Sequence, residues 1–126
     1  MTPLNVIMNP KLEVIMVTIN EDTIDELREL MEDDFIELIQ SFIDDIQVKI
    51  QQIQNAIEHC DCDSLRQKSH SLKGSARNIG AEEMSDLCYH LEKAGKEKNL
   101  EDVQEIYQKL EKEVNNVKEI LIKMVS

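Results

Sequence analysis

Residues 34–58 read DFIELIQSFIDDIQVKIQQIQNAIE, and their spacing decides the fold class. Ile39, Phe42, Ile46, Ile50, Ile53 and Ile57 recur every three or four positions, with Ile36 and Ile43 flanking them. On an α-helix that spacing gathers the apolar side chains into one wide stripe and turns the polar ones outward. Asp34, followed three residues later by Glu37, predicts a capping box at the start, and the helix is expected to reach about Glu58. A stripe this wide needs other elements to cover it, because a lone amphipathic helix is marginal in water.

The flanking sequence supplies those elements. Downstream, residues 59–63 read as a connection whose Asp63 caps a third helix from Ser64 to about Ile79. Its inner stripe is Leu65, Ser69, Leu72, Ala76 and Ile79, and Gly80 is placed for a left-handed C-terminal cap. A fourth helix is expected from Ala81 to about Ala94, with Met84, Leu87, Cys88 and Leu91 inside and Gly95 ending it. Asn99 is expected to cap the last helix, whose inner positions are Val103, Tyr107, Leu110, Val114, Val117, Leu121 and Met124. Upstream, Thr23 and Glu26 predict a capping box for a short helix to about Met31, with Ile24, Leu27 and Leu30 on one face. Residues 1–20 read as an irregular or extended lead-in. Short connections make successive helices antiparallel. The prediction is therefore an all-α fold, an antiparallel up-down four-helix bundle with a short extra N-terminal helix, filling residues 21–126 as one domain.

Composition agrees. Among 126 residues there are three Gly and two Pro, and both prolines lie in the first ten positions. The net charge of -12 opposes binding to nucleic acid or anionic lipid unless the basic residues cluster. Cys60, Cys62 and Cys88 form no repeating framework, which favours free thiols and a cytoplasmic location. No apolar run approaches the roughly 18 residues of a membrane span. The N-terminus lacks the basic segment and small-residue site of a signal peptide. The initial Met and the lead-in favour a freestanding protein over a domain cut from a sensor kinase.

The third helix carries the chemistry. His70 follows the inner residue Ser69 and so lies about 100° round from the core stripe, at the edge of the exposed side. Its helical neighbours are Arg66, Gln67, Lys73, Gly74 and Arg77. Between Ser64 and Asn78 the chain has four basic residues (Arg66, Lys68, Lys73 and Arg77) and no acid. That concentration of positive charge in so acidic a chain calls for a local explanation. Gly74 is a second anomaly, since a glycine inside an exposed helix costs about 1 kcal/mol relative to alanine. It leaves one side of the imidazole open. An exposed imidazole is a nucleophile near neutral pH, and a phosphoryl group on it would carry about two negative charges. Lys73 is placed to neutralise part of that charge, with Ser75 and Arg77 as helpers.

The run His70-Ser71-Leu72-Lys73-Gly74-Ser75-Ala76-Arg77-Asn78-Ile79-Gly80-Ala81 closely resembles the signature of histidine-containing phosphotransfer domains. That signature is a His, then Leu-Lys-Gly-Ser, then a small or polar stretch ending Leu/Ile-Gly-Ala. Leu87-Cys88-Tyr89-His90-Leu91-Glu92 resembles the start of the family's next helix. The resemblance covers about residues 22–124. It implies a phosphorelay carrier, not an enzyme with its own ATP site. His70 would take a phosphoryl group from a receiver-domain aspartate and give it to another receiver's aspartate. Lys73 would neutralise the phosphate and Gly74 provide clearance. Glu92 falls where the family often places a Gln or Glu that reaches back to the histidine, a position from which a carboxylate holds the ring but repels a bound phosphate. The resemblance implies no cofactor in this chain, with Mg²⁺ brought by the receiver. Its partners would be response-regulator receivers, with a hybrid sensor histidine kinase as a further candidate, and the chain would act as a monomer. Ser69 stands where the family more often has Ala.

Other readings are weaker. A helix-docking scaffold would tolerate His70→Gln. A member that binds receivers without accepting phosphate is disfavoured by the intact His70 and Lys73. A zinc site built from His59, Cys60 and Cys62 with Cys88 or His90 has tighter spacing than structural zinc patterns. His59, at a helix end, and His90, on an outer face, read as bystanders. Ile36, Ile43, Leu72 and Ile79 are either docking residues or core, and core is favoured.

Overall fold

The computed structural model describes residues 19–125, which fold into five helices and no strand. They are α1 (Glu21–Met31), α2 (Phe35–Glu58), α3 (Cys62–Asn78), α4 (Glu82–Glu97) and α5 (Val103–Val125), with one 3-10 turn, Glu32–Asp34, between α1 and α2. The predicted lead-in and Ser126 fall outside the described residues, except for Ile19 and Asn20. Helices α2 to α5 form the bundle: α3 packs on α2 and α4, and α5 closes the ring against α4 and α2. The stripes read from the sequence meet at the centre, where Ile39, Ile46, Ile53, Leu65, Leu72 and Leu91 are fully buried.

Helix α1 lies at one end of the bundle. Buried Ile19 and the Asn20 amide, which donates to the Gly80 carbonyl at 2.9 Å, anchor it to the turn between α3 and α4. Gly80 there has φ +75°, the predicted left-handed cap. A side chain at Gly80 would also collide with Asn20, its Cβ coming within 2.7 Å of the Asn20 Cβ.

Several predicted boundaries move. Asn20, not Thr23, caps α1: it is extended, and its Oδ1 accepts from the Thr23 amide at 3.1 Å. Asn is at least as good a cap as Thr, and here the residue is already tethered. Asp34 makes no side-chain cap on α2, because the 3-10 turn leads into the helix and leaves Asp34 helical instead of extended. Asp61, not Asp63, caps α3, accepting from the Ser64 amide at 3.1 Å and the Ser64 hydroxyl at 2.8 Å. Asp63 becomes a first-turn acid, where the helix dipole favours it. Asn99 accepts from the Glu101 amide at 3.2 Å, so it caps the turn before α5 and not the helix itself. Leu30, expected inside, is 79% exposed because α1 reaches the bundle mainly through Ile24.

Gly95 is the largest correction. It does not end α4, which continues to Glu97 and closes on Lys98 in the left-handed conformation. Gly95 is buried against α3, where an added Cβ would come within 2.7 Å of the Cys62 carbonyl oxygen and 2.8 Å of the Arg66 amide nitrogen. Its missing side chain lets the two backbones approach closely. In this antiparallel pair, with Gly95 opposite Arg66, the residue one turn before Gly95 faces the residue one turn after Arg66. Those residues are Glu92 and His70.

Candidate functional site

His70 stands on the outer face of α3 with 68% of its side chain exposed. Its Nδ1 lies 3.0 Å from Glu92 Oε2 on α4. A carboxylate only accepts, so Nδ1 carries the proton. The lone pair is then on Nε2, which has no hydrogen-bond partner among the described residues. The bond fixes the ring's tautomer and orientation together.

The other carboxylate oxygen, Glu92 Oε1, takes the Lys73 ammonium at 2.6 Å. One carboxylate thus bridges the imidazole and the cation. Burial pushes the Glu92 carboxyl up. Hydrogen bonds from Lys73 and His70, and their charges, outweigh burial and hold it below its ordinary value. Unlike its neighbours Arg66 and Arg77, Lys73 does not lie on the open surface. Its side chain is only 13% exposed, because it leans across α3 toward α4 and its ammonium lies 5.7 Å over the Tyr89 ring.

Gly74 is exposed, and a Cβ built there would meet nothing within 4 Å. No contact among the described residues explains this glycine, unlike Gly80 and Gly95. Arg66, Gln67 and Arg77 are all exposed around the ring.

Ser75 is not at the site. Its hydroxyl donates to Asp45 Oδ2 at 3.0 Å and accepts from Lys49 Nζ at 3.0 Å, both on α2. It lies five positions after His70, which turns it to the α2 side of α3, where it ties the two helices together. Leu72 and Ile79 are buried and belong to the core, Ile43 is half-buried, and Ile36 is 51% exposed. His59 bonds the Asn55 carbonyl through Nδ1 at 2.8 Å, the helix-end role expected of it. His90 is exposed and meets Tyr89 edge-on. Cys88, behind Glu92, is buried, and burial with the nearby Glu92 charge pushes its thiol up to about 12. No group of three His, Cys, Asp or Glu side chains among the described residues is arranged to hold a metal. No helix among them is long and apolar enough to cross a membrane.

Sequence reasoning missed Tyr89 and Gly95. Tyr89 sits one turn before Glu92, a spacing that places both on one face of α4. Gly95 was legible as a glycine, but its burial against α3 has no local signal.

Comparison with known proteins supplies independent findings. The family model described as "Hpt domain" matches residues 37–120, more than half of the chain. Over 85 residues the chain is 32% identical to the phosphorelay intermediate protein rdeA of Dictyostelium discoideum. That match covers 68% of this chain and 34% of the relative, so the chain spans about a third of that protein's length. The crystal structure of histidine-containing phosphotransfer protein B from Pseudomonas aeruginosa PAO1 superposes with a TM-score of 0.84 at 24% identity, covering 86% of this chain and 94% of that one. The HPT domain of a sensor hybrid histidine kinase from Shewanella gives 0.72 at 21% identity, covering 86% and 93%. These two likenesses establish the helical-bundle fold.

Proposed function

Because the chain belongs to the Hpt domain family, we propose that it is a phosphorelay intermediate that carries a phosphoryl group on His70 Nε2. The observation that carries the reading is the hydrogen bond from His70 Nδ1 to Glu92, made by a ring that is otherwise exposed. It keeps the ring proton on the nitrogen that faces the protein and leaves the outer one nucleophilic.

The step balances simply. The Nε2 lone pair attacks the phosphorus of a receiver's aspartyl phosphate in line with the carboxylate oxygen. The N–P bond forms as the P–O bond breaks, and the aspartate leaves as a carboxylate. The ring becomes cationic as it bonds, and Glu92 offsets that charge through Nδ1–H. Lys73 gives the phosphoryl oxygens a cation one turn away, and Gly74 gives the incoming receiver room. Reversal with a second receiver's aspartate discharges the carrier. Arg66, Gln67 and Arg77 border the approach, whereas Ser75 holds α2 against α3. Mg²⁺ belongs to the receiver in this scheme, since its charge serves the aspartyl phosphate there. The partners are response-regulator receivers and a hybrid sensor histidine kinase, and free thiols support a cytoplasmic location.

The test is label transfer from a phosphorylated receiver to the wild type and to His70→Gln. An acid-labile, base-stable label that appears only on the wild type is the expected result. Equal labelling of both proteins, or of neither with several receivers, would overturn the reading.

A further inference from the structure

Lys73 has a second neighbour that the reaction scheme does not use. Its ammonium lies 5.7 Å from the centroid of the Tyr89 ring as well as 2.6 Å from Glu92 Oε1. Tyr89 and Glu92 are three residues apart on α4, so ring and carboxylate hold the cation from one helix. Tyr89 is itself 48% exposed, among the few large apolar side chains that reach solvent. Lys73 and the Glu92 side chain are both largely covered, whereas the Tyr89 ring above the ammonium reaches solvent.

We propose that Tyr89 is a positioning residue for Lys73, holding the ammonium beside His70 while it moves from Glu92 to the phosphoryl group. This rests on the carrier function assigned to His70. A lysine has a flexible four-carbon stem and a strongly hydrated head, so in water it disperses over many rotamers. An aromatic face attracts the cation electrostatically without accepting an ordinary hydrogen bond. An ammonium has three N–H donors. The ion pair with Glu92 leaves N–H donors over and Tyr89 consumes none, so donors are available to phosphoryl oxygens. A carboxylate in place of the ring would compete with the phosphate for those donors and add like charge. The ring therefore localises the cation without discharging it, which suits a site whose charge changes by about two units at each transfer.

The test uses the intact 126-residue chain and a phosphorylated receiver domain. Wild type, Tyr89→Phe, Tyr89→Leu, Lys73→Ala and the double variant Tyr89→Leu/Lys73→Ala are compared for transfer rate at saturating receiver. The half-saturating receiver concentration is measured for each. Tyr89→Leu is expected to slow saturated transfer by about two- to fivefold, the range of a partly exposed cation–π contact. Tyr89→Phe keeps the ring and should retain the wild-type rate. In the Lys73→Ala background, Tyr89→Leu should add nothing, because its effect passes through the lysine. An equal slowing in that background would overturn the proposal. So would a change confined to the half-saturating concentration, which would make Tyr89 a docking contact. Loss of rate in Tyr89→Phe equal to that in Tyr89→Leu would also overturn it. Failure of the wild type to take a His70-dependent label would sink the carrier reading itself. Normal labelling with indifference to Tyr89 would sink only this proposal.

Discussion

At the scale of the residue, Glu92 is the pivot of the site. Its two oxygens hold His70 at 3.0 Å and Lys73 at 2.6 Å. This ion pair offsets the lysine's charge and leaves the side chain covered. In the proposed reaction a phosphoryl group on His70 would compete with the carboxylate for the same ammonium, while Glu92 would keep its bond to Nδ1. Lys73→Ala is expected to slow phosphotransfer on the order of tenfold, because an aimed cation is lost from the developing charge. Helical circular dichroism should stay at the wild-type level, since the four bundle stripes are untouched. Single-turnover rates with a phosphorylated receiver check this, and unchanged rates would remove Lys73 from the site.

At the scale of the element, two glycines inside helices make opposite predictions. Gly74 faces open space, and Gly95 faces the α3 backbone at 2.7–2.8 Å. Gly74→Ala should therefore raise stability by about 1 kcal/mol through helix propensity alone. Gly95→Ala should lower it by about 1–3 kcal/mol, because α3 and α4 must separate to admit the methyl group. That separation would also lengthen the His70–Glu92 bond, so transfer should fall in Gly95→Ala beyond what its stability explains. Urea midpoints of the two variants read the signs directly. A gain in both variants would refute the close approach at Gly95, and a loss in both would refute the open space at Gly74. Among the glycines, Gly74 is the one that no contact with the described residues explains.

At the scale of the whole molecule, stability against pH is a contest between carboxyls shifted in opposite senses. Glu92 is held below its ordinary value of 4.5, so the stability it contributes is complete above that value and is lost as pH falls through the depressed one. Glu113 on α5 is raised by burial, against a lowering hydrogen bond from Asn116 and with the Glu83 charge adding to the rise. Its contribution has the reverse sign: it is complete below 4.5 and is lost as pH rises through the raised value. Glu92→Gln should therefore lower Tm at pH 7, with the deficit shrinking on acidification. Glu113→Gln should raise Tm at pH 7, with the gain vanishing below about pH 4. Thermal melts of both variants from pH 7 to 3 check the pair, and parallel curves for variant and wild type would refute the assignment. The overall charge of -12 sets a repulsive background that acidification relieves.

The sequence by itself determined the number and type of the elements, the inner stripes of α2, α3 and α5, the exposure of His70 and the openness at Gly74. Each is a local property, since the 3.6-residue turn fixes which side chains share a face whatever the helix packs against. Capping was less legible, because neighbouring candidates such as Asn20 and Thr23, or Asp61 and Asp63, differ little in propensity and the surrounding turn chooses between them. Only the tertiary structure decided that Glu92 bridges His70 and Lys73, that Ser75 turns away to Asp45 and Lys49, and that Tyr89 covers the lysine. Those pairings depend on how closely α3 and α4 approach and in what register. The buried contact of Gly95 with the Cys62–Arg66 backbone sets both, joining residues about thirty positions apart in a way that no helical period encodes.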